Sequence, residues 1–220
     1  MRIISKSEKL AAIFLKGAVT EAWDYVENHQ HLSNLEIYQE LLTPAMKHIG
    51  LKWENFEITV AEEHLASGVC DLILTRLGFK HKKSIQELNA PRAMFFCVDS
   101  EQHYLGLKMV SSLFEEKGWN VHFLGANLPV QYALQAAKDW KPDVIGMSVS
   151  IATHLPKLRE YTDAFACLPK KPAVLIGGRL AEIFDINAFS TEEPMIVSNL
   201  YDTNNWIKGY QADGTKNAFN

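Results

Sequence analysis

The sequence predicts an α/β protein in two parts, an N-terminal four-helix bundle followed by a doubly wound parallel sheet. Three observations predict it. The first 79 residues carry helical periodicity and no convincing strand. From residue 92 onward, short apolar runs alternate with segments of helical length. Those runs are continuously apolar rather than alternating, which marks strands covered on both faces.

Each element follows in order. "SEKLAAIFLKG" reads as a short helix stopped by Gly17, and "AVTEAWDYVENH" as a second. "SNLEIYQELLTPAMKHIG" opens with Ser33 and Glu36, spaced as a capping box, and its Leu35, Tyr38, Leu41 and Leu42 share a face. Pro44 either starts a new turn there or kinks the helix. "TVAEEHLASGVCDLILTRLGF" opens with a second box, Thr59 and Glu62. Four helices with short links make a bundle over residues 1–80. "KHKKSIQELNAP" is polar and ends in proline, so 81–91 is expected to be a linker. Over 92–220, "AMFFCV", "VHFLG", "VIGMSVS", "AVLIGG" and "MIVSN" read as five strands. "YLGLKMVSSLFEEKG", "PVQYALQAAKDW" and "LPKLREYTDAFACL" read as the helices between them. The polar tail "QADGTKNAFN" is expected to fray.

Composition excludes several classes. Lys and Arg number 22 against 26 Asp and Glu, a net charge of −4, so no phosphate-seeking surface for direct nucleic-acid binding is expected. Cys70, Cys97 and Cys167 are far apart and form no CxxC, which removes a zinc or dithiol signature and suits a reducing cytoplasm. No apolar stretch approaches 18 residues, so no membrane span is expected, and the N-terminus lacks a signal peptide's cleavage pattern. There is no nucleophile–base pair, Walker motif or dinucleotide fingerprint, and the chain is not expected to be an enzyme on its own.

In open α/β sheets, ligands bind outside the carboxyl ends of the strands. After the first strand come Glu101, His103 and Gly106; at the third, Ser148 and Ser150; after the fourth, Gly177 and Gly178. Singly, each is ordinary. Jointly they have a chemical logic. A neutral imidazole ligates transition metals, and its second nitrogen needs an acceptor, which Glu101 can supply. Gly106 removes a side chain at a helix start. The serines are small donors for a channel, and the glycines admit close approach of a flat ring or a phosphate.

This set resembles the cobalamin-binding domain family, with its Asp-x-His-x-x-Gly, Ser-x-Leu and Gly-Gly motifs. The resemblance implies a Rossmann- or flavodoxin-like domain in which His103 is the lower axial ligand of cobalt, its only metal-binding residue. It also implies that the displaced nucleotide tail passes Ser148, Ser150, Gly177 and Gly178. Two departures are visible: Glu101 stands where Asp is commoner, and Ser150 where an aliphatic residue is usual.

The helical part carries a second match. Trp53, nine residues, then Glu63 and His64 is similar to the cap of the CarH/LitR type of adenosylcobalamin photoreceptors. There the Trp covers the upper corrin face and the Glu-His pair lies near the adenosyl group. In that type the residue after the Trp is a His able to take the upper cobalt position after photolysis. Here it is Glu54, leaving His48 and His64 as the replacements to test. The helix-turn-helix domain that precedes the cap in those regulators is not expected, since this sequence starts at the cap.

The resemblance therefore implies a cytoplasmic cobalamin-binding sensor, a photoreceptor without its own DNA reader, acting in signalling and transcription regulation through a protein partner. Adenosylcobalamin is the expected form and methylcobalamin the alternative; a homo-oligomer stays open. Two other readings compete: a corrinoid carrier of a methyltransferase system, disfavoured by Tyr104 after His103 and by the Trp53 pattern, and a scaffold that has lost cobalamin.

Overall fold

The fold is described from a computed structural model, for residues 5–81, 90–190 and 193–210. The chain divides into two compact units, Met1–Lys82 and Lys83–Asn220.

In the first unit, α1 (Lys6–Leu15) buries Leu10, Ala11 and Phe14 completely and packs against α2 (Val19–Glu27), α4 (Thr43–Glu54) and α5 (Val60–His81). Its start is a third capping box, Ser5 with Glu8. Both boxes expected from sequence are formed: the Glu36 amide donates to Ser33 Oγ at 3.3 Å, and the Glu62 amide to Thr59 Oγ1 at 3.2 Å. On α5, Ala66, Val69, Cys70, Ile73, Leu74 and Leu77 are buried at the spacing of one helical face.

The third expected helix is composite. A single turn, α3 (Asn34–Glu36), passes into a π-helical segment, Ile37–Leu42, and then α4. The Thr43 amide bonds to Tyr38 O, one residue further back than in an α-helix. This wide turn precedes Pro44, whose ring would otherwise press on the preceding turn and which has no N–H to give. The helix α5 runs through His81, the first residue of the stretch expected to be a linker; residues 82–89 lie outside the described ones, as does the tail 211–220.

The second unit is a five-stranded, all-parallel sheet of order β2-β1-β3-β4-β5, which establishes the expected doubly wound α/β class. The strands are β1 (Arg92–Val98), β2 (Asn120–Leu128), β3 (Val144–Ser148), β4 (Ala173–Gly177) and β5 (Met195–Ile196). On one face, Met94, Phe96 and Val98 of β1 join Ile145 and Met147 against α7 (Val130–Trp140) and α8 (Lys157–Ala166). The alternate residue Phe95 meets Phe114 of α6 (Leu105–Glu116) on the other, ring centroids 4.9 Å apart.

Two features differ from the sequence expectation. The strand β2 is at the sheet edge and only partly buried, although its apolar run suggested cover on both faces. A further helix, α9 (Leu200–Gly209), follows β5 and packs on α6. Its signal was present: Asn199 accepts from the Asp202 amide at 2.9 Å as a cap, and Leu200, Thr203, Asn204 and Ile207 are buried at helical spacing. No helix among the described residues is long and apolar enough to cross a membrane.

Candidate functional site

The sheet's carboxyl ends converge because β1, β3 and β4 run parallel in register. Ser148 is the Cα partner of both Cys97 and Gly177. The loop after β1 therefore begins beside Ser148, and the Gly177–Gly178 pair follows on the other side.

That loop is built around Glu101, a fully buried carboxylate. Its Oε1 accepts the His103 amide at 3.0 Å and the His103 ring Nδ1 at 2.5 Å. Its Oε2 accepts the Ser150 amide at 2.7 Å and lies 3.3 Å from His154 Nδ1. Burial works to raise its pKa. The hydrogen bonds from the His103 ring and the His103 and Ser150 amides, with the His103 charge, outweigh burial and hold it at about 2. An ionised carboxylate only accepts, so Nδ1 of His103 carries the hydrogen of this bond, and the neutral form of the ring has its lone pair on Nε2. The His103 side chain is 49% exposed, so this imidazole is oriented from behind and open in front.

Loop conformation is fixed from three sides. Ser100 has φ +68°, and its amide donates to Asn127 Oδ1 at 2.7 Å while the Asn127 amide donates to Glu101 O at 2.9 Å. Lys157 Nζ reaches Asp99 Oδ2 at 2.6 Å, Asp99 O at 2.9 Å and Ser100 Oγ at 3.1 Å. The buried Tyr161 hydroxyl accepts the Asp99 amide at 2.9 Å and donates to Leu128 O at 2.5 Å. None of Asn127, His154, Lys157 and Tyr161 was singled out from sequence for the site. Each joins the loop across at least 27 residues of chain, so no local spacing reveals it.

The remaining candidates of this unit behave differently from one another. Ser148 is buried, and Ser150 contributes its backbone amide. Gly178 has φ +117°, and a Cβ there would lie 2.1 Å from Val149 O, so the chain's own backbone demands this glycine. A Cβ on Gly177 would lie 3.1 Å from the Val197 side chain. At Gly106 it would meet nothing within 4 Å among the described residues. Packing within the chain gives no reason for glycine there.

In the helical unit, Trp53 stands near the end of α4, 45% exposed, beside an open recess of about 750 Å³. Glu63 and His64 do not line that recess. They pair with each other: Glu63 Oε2 lies 2.8 Å from His64 Nδ1, and Glu63 Oε1 accepts from Ser67 Oγ at 2.7 Å.

Known proteins match both units. A family model described as a B12 binding domain covers residues 91–192, and a second with the same description covers 7–77. The chain belongs to the B12-binding domain family. Cobalamin is its cofactor, and the residues fit one. Among the described residues no group of three or more His, Cys, Asp or Glu is placed to hold a bare metal ion. The oriented His103 offers one nitrogen, so a cobalt bound there must bring its other ligands, as a corrin ring does.

Among relatives, the chain is 26% identical over 152 residues to the HTH-type transcriptional repressor CarH of Myxococcus xanthus, covering 68% of this chain and 49% of that protein. It is 30% identical over 185 residues to the repressor CarA of the same organism, covering 79% and 61%. It thus spans about half to three fifths of these two relatives. In fold, it is similar to the Methanosarcina barkeri monomethylamine corrinoid protein, with TM-score 0.74, 17% identity, and coverage of 91% of this chain and 95% of that one.

Proposed function

We propose that this B12-binding domain chain is a light-responsive cobalamin sensor that passes its signal to a protein partner. His103 is the lower axial ligand, held by Glu101. Ser148, Ser150, Gly177 and Gly178 line the path of the nucleotide tail, and Gly106 leaves room for the ring. Trp53, Glu63 and His64 serve the upper side. The bound adenosyl form supplies a Co–C bond that light cleaves.

The single observation that carries the sensor reading is the sequence spacing of Trp53, nine residues, then Glu63 and His64 on the helical unit. Its Glu63–His64 pair is a second carboxylate-oriented imidazole, anchored by Ser67. Similarity to two repressors supports regulation as the output. With Glu54 after Trp53, a histidine at that position is not there to close the upper cobalt site after light. Glu101 holds the His103 ring by Nδ1, so the imidazole would be oriented before cobalt arrives.

The test is reconstitution in the dark with adenosyl-, methyl- and hydroxocobalamin, recording spectra and size-exclusion profiles before and after green light. A light-dependent change of spectrum and of assembly state in the adenosyl form is expected, with the dark spectrum lost in His103→Ala. Identical spectra and profiles before and after light end the sensor reading. Exclusive uptake of methylcobalamin, with methyl transfer to a thiol acceptor, would make the chain a corrinoid carrier instead.

A further inference from the structure

Among the described residues, four other than glycine have positive φ: Phe56, Ser100, Asn127 and Lys141. Ser100 and Asn127 hold the loop before His103, and Lys141 is the polar cap of α7. Phe56 has no such explanation. Its φ is +59° and it is 94% exposed.

The backbone accounts for the conformation but not for the residue. The helix α4 closes with the Asn55 amide on Leu51 O, the Phe56 amide on Trp53 O and the Glu57 amide on Lys52 O, at 3.0, 3.0 and 2.8 Å. This is a Schellman-type ending, and its left-handed position is where glycine is the ordinary choice. The chain places a Cβ there against its steric preference, then leaves the ring in water instead of burying it. One position breaks both a backbone rule and a burial rule with no return in folding. Such outliers gather at ligand sites.

The surroundings indicate which ligand. Phe56 lines the 750 Å³ recess together with Trp53 and Val60. Among the described residues that line it, three are carboxylates, Glu54, Glu57 and Glu62, and none is a cation. Glu57 is held by Lys52 Nζ at 2.6 Å and Glu62 by the Thr59 amide at 2.7 Å, so both are fixed acceptors. Aromatic rings beside carboxylates suit a flat, neutral base bearing hydroxyl donors, and they repel phosphate. A methyl group offers neither a face to stack nor a hydroxyl to donate.

We infer that Phe56 is a specificity-determining residue: it selects a cobalamin whose upper ligand is a nucleoside over one whose upper ligand is a methyl group. This rests on the reading that Trp53 serves the upper side of the cofactor.

Phe56→Gly separates the roles, because glycine suits the turn and removes only the ring. Equilibrium dialysis of the full chain in the dark, with adenosylcobalamin and with methylcobalamin, reads the outcome. The Kd for the adenosyl form is expected to rise about tenfold, the loss of one base–aromatic stack, while that for the methyl form stays within about twofold and the melting temperature does not fall. Phe56→Tyr is expected to restore the wild-type ratio. An unchanged ratio in Phe56→Gly, or equal Kd values for both forms in the wild type, overturns the assignment. A Trp53→Ala variant that binds both forms like wild type would instead remove the underlying reading of the upper side, and with it this one.

Discussion

Glu101 Oε2 lies 3.3 Å from Nδ1 of His154, a residue 53 positions away whose side chain is only 12% exposed. One buried carboxylate thus faces two imidazoles, and the distances rank them. The 2.5 Å bond to His103 is short and charge-assisted; the 3.3 Å approach of His154 is at the weak limit. Glu101→Gln is expected to weaken cobalamin binding about 10- to 100-fold, as loss of a ligand's orienting partner does. His154→Ala is expected to change it by less than about threefold. Titration of each variant with cobalamin, followed by absorbance, checks the order.

Gly106 and Gly178 are predicted to fail in opposite ways. Alanine at 178 would press its Cβ on the Val149 carbonyl at φ +117°, so it is expected to cost about 3 kcal/mol of stability without cofactor. Alanine at 106 meets only open space at the start of α6, so it is expected to stabilise the cofactor-free protein by up to about 1 kcal/mol. The same substitution is expected to weaken cobalamin binding about tenfold or more, roughly 1.4 kcal/mol. Thermal melts without cofactor and binding titrations distinguish the two.

Tyr161 ties the site loop to the end of β2 through one hydroxyl. Tyr161→Phe leaves the Asp99 amide and the Leu128 carbonyl without it and is expected to cost about 2 kcal/mol in denaturant unfolding.

The same hydroxyl predicts an alkaline limit. Burial pushes the Tyr161 phenol up to about 12, whereas an unfolded tyrosine ionises near ~10. The folded state therefore keeps a proton that the unfolded state gives up. Its contribution is complete below pH ~10 and is lost as pH rises toward 12. Stability measured across that window is expected to fall less steeply in Tyr161→Phe than in wild type.

Thiol reactivity is expected to be one in three. Cys70 and Cys97 are buried and Cys167 is exposed. Burial, with the nearby Glu101 charge, also pushes the Cys97 thiol up to about 12, so it supplies no thiolate at neutral pH. A chromogenic disulfide reagent should titrate one thiol in the native protein and three in denaturant.

What could be read in the sequence was local. Both capping boxes, the five apolar strands and the Glu101–His103 pair are encoded within a few residues, and the structure forms each of them. The six-residue π-helical segment before Pro44 was not legible, because the proline allows either a kink or a widened turn and packing decides. His154, Lys157 and Tyr161 were hidden because α8 and the turn before it meet the β1 loop only after the sheet forms. Phe56 was hidden because its left-handed backbone is set by the ending of α4, which no residue type there announces.

The two edges of the sheet differ. The strand β5 is two residues long, and β2, though nine, loses step with β1 between Phe95 and Phe96 and again before Val98, with Gly125 at φ +80°. A broken ladder on one side and a stub on the other give an incoming strand little to zip onto. Copies of this protein that gather at high concentration are thereby steered away from amyloid-like stacking and toward contacts made by side chains.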